Sequence, residues 1–248
     1  MKCPLHDQLI VPRFQHQHAV ITGGSSGIGL AVAHRFIAHG GSVTVVGRDE
    51  SRLASARRAL GEGAQTIVGD MTNTSDLERI FAALPTFDHL VTAAGPMPRD
   101  AHILKVDIAE ARALFEGKYW GQLLSIRHAA PHIRAGGSVT LLSGTLARKP
   151  AGGVPIFASI DGAIESLMRV LAIDLAPIRV NVVAPGIIDT PMLRDAGEHS
   201  AQAMMAAFGD RVLVGRAGKA EEVAEAITFA MGNAFVTGSV IDIDGGKK

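Results

Sequence analysis

The sequence holds little cysteine, few aromatic side chains and no excess charge of either sign. Of its 248 residues one is cysteine, one tyrosine and one tryptophan, and aromatic residues make up 4%. The lone Cys3 excludes an intramolecular disulfide framework and is typical of a protein from the reducing cytoplasm. The 24 basic and 24 acidic residues cancel, so no net field would draw the chain to nucleic acid or to an anionic membrane. We therefore expect a cytoplasmic protein that binds neither.

Long apolar runs and clusters of metal ligands are also missing. No stretch approaches the roughly 18 apolar residues that a membrane span needs. Residues 1–17 lack the apolar region of a signal peptide, and we expect a flexible N-terminal segment there. His6, His16 and His18 are not followed by further ligands at a matching spacing, so we predict no metal site.

Glycine is abundant, with 28 residues, and short apolar runs alternate with helical patterns along the chain. Predicted strands lie at residues 19–21, 42–46, 65–68, 89–92, 138–142, 179–183 and 239–243. Fully apolar strands that alternate with helices are typical of a parallel sheet covered on both faces. No Pro/Gly/Ser-rich linker interrupts the pattern. The sequence therefore predicts a single α/β domain over residues 18–248, a doubly wound Rossmann fold with a central parallel sheet.

The turn after the first strand carries the strongest signal, with the sequence Thr22-Gly23-Gly24-Ser25-Ser26-Gly27-Ile28-Gly29. Glycine permits positive φ and lets the backbone approach a ligand closely. The N-terminus of the following helix offers N–H groups and a partial positive charge to a phosphate. A dinucleotide-binding turn requires this strand–turn–helix context. The context therefore favours a dinucleotide-binding role over that of a merely structural connection.

The spacing Thr-Gly-x-x-x-Gly-Ile-Gly resembles that of the short-chain dehydrogenase/reductase family, and the resemblance runs from about residue 19 to residue 246. Gly69-Asp70-Met71 matches the family's Asp after the third strand, which holds the adenine. Residues 181–190 match its Pro-Gly segment beside the nicotinamide, and residues 238–246 resemble its Asp-Gly-Gly ending. Residues 92–95, Thr-Ala-Ala-Gly, stand where the family has Asn-Asn-Ala-Gly. The resemblance implies a nicotinamide cofactor, a small-molecule substrate and a homo-oligomer, either a dimer or a tetramer.

The resemblance also assigns residues to the cofactor. They are Gly23, Ser25, Ser26, Gly27, Ile28, Gly29, Arg48, Asp70, Met71, Ala93, Ala94, Gly95, Pro185, Gly186, Ile188 and Thr190. Family members that prefer NAD carry an acid at the tip of the second strand, and that position is Gly47 here. Arg48 follows it, and a guanidinium can pair with the 2′-phosphate of NADP. Asp49 as the ribose acid and Arg48 as a solvated loop residue are the competing interpretations; we predict NADP(H).

The family's proton-donating pair is absent from the positions where the resemblance places it. Ser143 matches the Ser that binds the substrate carbonyl, and thirteen positions later, where the family has Tyr, stands Ile156. Ile160 replaces the Lys four residues on, and neither isoleucine can carry a proton. Both belong to an apolar helical stripe that runs to Leu171, which predicts a core or pocket-wall role.

One long helix is predicted from the capping residue Asp107 to residue 132, and Lys118 on it occupies the place of the family's Asn. A lysine desolvated beside a carbonyl could act as an acid or an electrostatic clamp. The competing interpretation is a lysine that extends from the helix edge to solvent. We predict Ser143 and Lys118 as the catalytic residues. Tyr119 and Trp120 face elsewhere on the helix and are expected to pack against helices or at an interface.

Residues 191–214 correspond to the family's mobile substrate lid. The lid carries Met192, Leu193, Met204, Met205 and Phe208, an adaptable apolar set that favours a largely apolar substrate. The same residues could instead only anchor the lid on the core.

The sequence as a whole predicts an atypical NADPH-dependent oxidoreductase that reduces a ketone or imine in a small, largely apolar molecule without the usual Tyr–Lys acid. Two alternatives stay open: a non-redox cyclase or isomerase on the same scaffold, and a cofactor-binding pseudo-enzyme or sensor. Fold alone does not separate the three.

Overall fold

Seven parallel strands form the central sheet of the computed structural model, which describes residues 13–95, 102–194, 203, 205–206 and 209–248. The strands are β1 His18–Thr22, β2 Ser42–Gly47, β3 Ala64–Val68, β4 Phe87–Thr92, β5 Ile133–Leu142, β6 Arg179–Pro185 and β9 Val240–Ile243. They lie in the order β3-β2-β1-β4-β5-β6-β9. Two short strands, β7 Ile188–Asp189 and β8 Gly218–Lys219, pair separately.

Helices cover both faces of the sheet. They are α1 Gly27–Ala38, α2 Glu50–Leu60, α3 Thr74–Ala83, α4 Ile108–Phe115, α5 Gly121–Ala129, α6 Pro155–Asp174, α7 Pro191–Arg194 and α8 Ala220–Gly232. Successive side chains of a strand point to opposite faces, so Val20 enters one hydrophobic core while Ile21 enters the other. The predicted single, doubly wound domain is confirmed. Among the described residues no helix is both long and apolar enough to cross a membrane.

The strand order reverses between β1 and β4. From β1 the chain moves outward through β2 and β3, and it then returns to place β4 on the other side of β1. In such sheets a crevice opens outside the carboxyl ends of the strands at the point of reversal, and ligands bind there. The glycine-rich turn of residues 22–29, called the phosphate turn below, begins at this crevice. The segment after β4 begins there as well.

The predicted long helix is interrupted, which corrects the sequence-based expectation of one helix from residue 107 to residue 132. Asp107 does cap α4, since its Oδ1 accepts hydrogen bonds from the backbone nitrogens of Ala109 and Glu110. Between α4 and α5, however, Glu116–Trp120 form a π-helical turn. A π turn inserts a residue into the helix, rotates the side chains that follow it, and often occurs at a functional site.

Part of the segment expected to be flexible packs on the domain. Residues 1–12 lie outside the described residues, whereas residues 13–17 are described. Phe14 is 1% exposed, and its ring stacks on that of Phe36 with 4.3 Å between the centroids. The backbone nitrogens of Arg13 and Phe14 both donate to the carbonyl oxygen of His39. The ordered domain therefore begins before residue 18, because a buried phenyl ring anchors this segment.

The burial of His89 on β4 makes the free energy of unfolding depend on pH. It is buried beside Phe14 and Phe36, and its ring nitrogens lie 2.8 Å from Ser138 Oγ and 3.1 Å from Gln17 Oε1. Burial lowers the pKa of His89 to about 4. The unfolded chain thus takes up a proton below pH 6.5, whereas the folded protein does so only near pH 4. We expect the free energy of unfolding to fall over this window by about 3 kcal/mol from this group.

The measurement is urea unfolding at several pH values for the wild type and for His89→Gln. The variant should lose stability less steeply between pH 6.5 and 4, because it lacks the titrating group. His34→Gln, which removes an exposed histidine on α1, is the matched control and should keep the wild-type slope. Equal slopes for His89→Gln and the wild type would contradict the assignment.

Candidate active and cofactor-binding site

The phosphate turn lies directly against the chain that leaves β4. Gly23 has a φ of +72°, and a Cβ there would stand 2.5 Å from the backbone nitrogen of Ala94. Only glycine fits such a position, since any side chain would meet backbone. The close approach brings the turn together with Ala93, Ala94 and Gly95, three of the residues predicted to bind the cofactor.

Helix α1 presents its N-terminus in this turn. Ser26 is the N-cap residue, and its side chain makes no capping hydrogen bond with the first turn of the helix. The first N–H groups of α1 therefore remain available to an anion. Thr190 lies beside the same turn, since its Cβ is 3.6 Å from the place that a Cβ of Gly27 would take. The Ile28 side chain is partly buried and packs against the core.

The tip of β2 carries a cation and no acid in the expected position. A Cβ on Gly47 would lie 3.6 Å from Ser25 Oγ, so residue 47 borders the phosphate turn. Arg48 is 77% exposed in its side chain, and its Nη1 lies 3.7 Å from Asp70 Oδ2. The Asp70 carboxylate is fixed by its own turn, where Oδ1 accepts hydrogen bonds from the nitrogen and the hydroxyl of Thr72. Arg48 and Asp70, both predicted to bind the cofactor, thus lie side by side at the carboxyl ends of β2 and β3.

Asp49, the competing candidate for the ribose acid, is used as the N-cap of α2. Its Oδ1 accepts a hydrogen bond of 3.0 Å from the backbone nitrogen of Arg52. That bond, followed by one from the Ser51 hydroxyl, lowers the pKa of the Asp49 carboxyl. A capping carboxylate stabilises the helix start, so the cap accounts for Asp49 without a cofactor.

The segment that follows β6, predicted to lie beside the nicotinamide, borders the same crevice. Pro185 ends β6, and the Gly186 nitrogen donates to the carbonyl oxygen of Ile243. Ile188 is buried and pairs with Gly218 in the small sheet. These contacts hold residues 185–190 between the C-terminal strand and the phosphate turn. Met71, by contrast, is 6% exposed and belongs to the core, so only its backbone is left for a cofactor.

The two predicted catalytic residues come together at the end of β5. The Nζ atom of Lys118 lies 3.3 Å from the carbonyl oxygen of Ser143 and 2.7 Å from Asp161 Oδ1. Ser143 is 7% exposed, and the Lys118 side chain is 12% exposed. The lysine therefore points into the protein, and the interpretation of a lysine that extends to solvent is wrong.

Lys118 is the middle residue of the π-helical turn Glu116–Trp120. Lys118 Cγ lies 3.5 Å from the place that a Cβ of Gly95 would take, so its side chain crosses the segment after β4. Gln122 is buried, and its side-chain amide connects the π-helical turn to strands β4 and β5. Its Nε2 donates to the carbonyl oxygens of Lys118 and Leu142, each at 2.9 Å, while its Oε1 accepts from Thr92 Oγ1 at 2.6 Å. Sequence reasoning missed Gln122, because a lone amide in a helix gives no pattern.

The apolar stripe on α6 packs in the core, which is one of the two roles predicted for it. Ile160 is fully buried and Ile156 partly buried, and both pack in the core that includes β5 and β6. The Phe157 ring lies under the ammonium group, with 4.4 Å between its centroid and Lys118 Nζ. The group is thus bounded by apolar side chains in a region of low effective dielectric.

Asp161 is a candidate functional residue that sequence reasoning missed. Its side chain is 1% exposed and forms an ion pair with Lys118. One signal could have found it: an acid inside the apolar helical stretch Ile160-Asp161-Gly162-Ala163-Ile164. Aspartate is almost never fully buried without a partner, so such an acid predicts a buried cation nearby.

The remaining predictions concern the packing of Tyr119, the lid and the absence of a metal site. Tyr119 packs against the core and contacts Phe115 and Trp120 edge to face, as expected for a packing residue. In the lid, Met192 is half-exposed and Met205 partly buried, while Met204 and Phe208 lie outside the described residues. Within the described part of the chain, no three His, Cys, Asp or Glu side chains gather in a group that could hold a metal ion.

Comparison with known proteins relates this site to a family. The family model described as "Enoyl-(Acyl carrier protein) reductase" matches residues 23–248. The short-chain dehydrogenase/reductase malC of Malbranchea aurantiaca is 30% identical, with 93% of this chain and 94% of that protein covered. The structure of that protein, described as the MalC reductase/Diels-Alderase, covers 95% of this chain and 97% of its own at a TM-score of 0.86 and 28% identity.

Two further proteins are similar over nearly their whole length. A cis-4-hydroxycyclohexanecarboxylate dehydrogenase of Sinomonas cyclohexanicum is 33% identical, with coverage of 94% of this chain and 97% of that protein. A small-chain dehydrogenase solved in complex with NADPH is 32% identical at a TM-score of 0.76, with coverage of 93% and 97%. The match begins within the phosphate turn and reaches the C-terminus, so sequence and fold agree that the chain belongs to the short-chain dehydrogenase/reductase family.

Proposed function

We propose that the protein is an NADPH-dependent reductase of a ketone or imine in a small, largely apolar molecule, with Lys118 in place of the family's tyrosine as the acid. One observation carries the proposal: the Lys118 ammonium is held 3.3 Å from the Ser143 carbonyl oxygen, over the ring of Phe157. An ammonium at this place can deliver a proton to a substrate that Ser143 binds.

The crevice suits a dinucleotide. A Cβ at Gly23 would fill the space between the turn and Ala94, and the N-terminus of α1 offers N–H groups to a pyrophosphate. At the tip of β2, Gly47 offers no acid and Arg48 offers a cation, which favours NADPH, and a relative has been solved with NADPH. When bound, NADPH supplies a hydride.

The residues of the chain then have separate tasks. The Ser143 hydroxyl donates a hydrogen bond to the substrate oxygen or nitrogen and polarises the double bond. Lys118 transfers a proton from its ammonium to that atom as the carbon gains the hydride, which yields an alcohol or amine. The neutral amine of Lys118 regains its proton from water, which its 12% exposure permits.

A second candidate is a non-redox cyclisation or isomerisation, in which Ser143 and Lys118 polarise the substrate and no hydride is transferred. The observation that favours it is the similarity to malC, whose structure is described as a reductase/Diels-Alderase. Here the same ammonium would stabilise negative charge on a carbonyl without giving up its proton.

The deciding experiment incubates the protein with NADPH and a panel of cyclic ketones and imines, and follows the nicotinamide absorbance together with product formation. Stoichiometric loss of NADPH with formation of alcohol or amine is the expected result. Turnover without loss of NADPH would support the second candidate. Tight NADPH binding with no turnover of any panel member would point to a sensor or pseudo-enzyme.

Cofactor preference gives a separate prediction. Arg48→Ala should weaken NADPH binding by about 1.5–3 kcal/mol, the range of a charge-assisted contact, and should hardly change NADH binding. Gly47→Asp should shift the preference toward NADH, because a Cβ at this position has only ordinary contacts and the added acid can bind the ribose hydroxyls. Both effects are measured by fluorescence titration of the reduced cofactors.

Arg52→Ala is the matched control, since Arg52 is an exposed arginine in the first turn of α2 that pairs with Asp49. It should leave both affinities unchanged. Equal losses of NADPH and NADH affinity in Arg48→Ala would show that Arg48 does not recognise the 2′-phosphate.

We also propose a homo-oligomer, a dimer or tetramer with two-fold interfaces. Large apolar side chains stand exposed on α6 and near the C-terminal strand, with Ile173 at 77% and Phe235 at 99%. Light scattering at micromolar concentration should therefore report a multiple of the chain mass, and Ile173→Asp with Phe235→Asp should reduce it. A wild-type protein with the mass of a single chain would refute the proposal.

A further inference from the structure

We infer that Asp161 is a positioning residue for Lys118: its carboxylate holds the lysine side chain at Ser143. The inference rests on the proposed function, since it concerns the same site. Asp161 lies 43 positions from Lys118 in the chain, on a different helix, and the two side chains meet at 2.7 Å with 1% and 12% exposure.

Three contacts fix the ammonium group. Asp161 Oδ1 and the Ser143 carbonyl oxygen each accept a hydrogen bond from Nζ, and the Phe157 ring lies beneath it at 4.4 Å. An ammonium has three N–H donors, so two are used and one is left for a substrate. The geometry therefore orients a single proton while the other two hold the group in place.

The charge of Asp161 matters as much as its position. The carboxylate lies 2.7 Å from the ammonium and is 1% exposed, so solvent screens their attraction only weakly. Without Asp161, the ammonium would lose one of the two acceptors that orient it, and the proton that it delivers would no longer be directed at the substrate.

The surroundings of Asp161 restrict its carboxylate. Asp161 Oδ2 is buried and packs on Gly144, where a Cβ would stand only 2.6 Å away. A buried ion pair is by itself weak evidence for stabilisation. The enclosed carboxylate is better explained by its effect on the position of Lys118.

Glu165, one turn later on α6, is a second buried acid of the same helix, and its partners differ from those of Asp161. It is 3% exposed, and both of its oxygens have basic partners: Oε1 lies 2.9 Å from Arg148 Nε and Oε2 lies 3.7 Å from Arg169 Nη2. Glu165→Gln is therefore a matched control, because it removes a buried carboxylate from α6 without touching Lys118.

The test measures kcat with the substrate that the panel identifies, NADPH affinity and the thermal midpoint for four variants. These are Asp161→Asn, Lys118→Met, the double variant and Glu165→Gln. Asp161→Asn should lower kcat about tenfold or more and change the NADPH Kd by less than about twofold. In the Lys118→Met background the same change should alter kcat by less than about twofold, because Asp161 acts through Lys118. Glu165→Gln should retain kcat.

The outcomes distinguish the inference from the proposed function. If Lys118→Met loses turnover while Asp161→Asn keeps it, the inference is overturned and the proposed function stands. If Asp161→Asn lowers kcat by the same factor in both backgrounds, Asp161 acts independently of Lys118 and the inference is also overturned. If Lys118→Met keeps full turnover, the proposed role of Lys118 fails, and the inference fails with it.

Gly144→Ala gives a second test if Asp161→Asn does not fold. Its φ of −168° suits alanine, and the new methyl group would displace the Asp161 carboxylate without removing its charge. We expect a loss of kcat of about tenfold with unchanged NADPH affinity. Gly162→Ala, whose nearest neighbour would be Ala147 Cβ at 3.8 Å, should keep kcat. Wild-type kcat in Gly144→Ala would count against Asp161 as a positioning residue.

Discussion

Replacing Lys118 with methionine is expected to lower kcat about 10²–10³-fold, the loss that follows removal of one electrostatic contact to a transition state. The affinity for NADPH should hardly change, because Lys118 lies with Ser143 and Asp161 and not in the phosphate turn. Methionine keeps the length of the side chain and removes only its charge and its proton. Single-turnover reduction of the panel substrate and a separate NADPH titration measure the two effects.

Lys118→Met leaves Asp161 as an unpaired carboxylate with 1% exposure, which costs about 3–5 kcal/mol when an ion pair is broken in this way. The kinetics are therefore measured well below the thermal midpoint and repeated with Lys118→Met/Asp161→Asn, which removes both charges. Lys105→Met, a change at an exposed lysine before α4, controls for the loss of a positive charge and should retain kcat.

Ser143→Ala should match Lys118→Met in its effect, since the hydroxyl polarises the bond that the lysine protonates. A large loss in Ser143→Ala with none in Lys118→Met would assign the proton to water or to the substrate. Normal turnover in both variants would show that neither residue takes part in the chemistry.

Restoring the family's pair with Ile156→Tyr and Ile160→Lys should destabilise the protein by several kcal/mol and should not raise its activity. Ile160 is fully buried in the core with Ile164 and Leu141. A lysine there would be a buried cation, and its neighbour in the chain, Asp161, already pairs with Lys118. Burial of a charge that lacks one is strongly unfavourable. Thermal unfolding and kcat of the double variant check both parts.

Ile160→Met is the matched control, because it changes shape without adding charge and should cost less than about 1.5 kcal/mol. Ile156→Tyr alone tests whether the hydroxyl can be accommodated at the less buried position. A stable double variant with a large gain in rate would show that the site is an impaired form of the usual one and that Lys118 has not replaced it.

Much of the scaffold follows from local patterns in the sequence. Gly23 must be glycine because the turn there has positive φ and touches backbone, and the strand before it and the helix after it were predicted from short-range periodicity. The apolar face of α6 also follows from spacing alone, since residues three to four apart share a helix face. Ser143 and Lys118 were found because each stands in a recognisable stretch of a known family.

The arrangement of the site was decided by tertiary structure. Lys118 and Asp161 are 43 positions apart and on separate helices, so only the packing of α6 beside the π turn brings their charges together. The π turn itself gives no sequence signal, yet Lys118 lies within it. Phe14 was placed in a flexible segment for the same reason: its partners, Phe36 and His89, are distant in the chain. Sequence determines which faces are apolar, whereas the pairing of buried charges depends on how those faces meet in space.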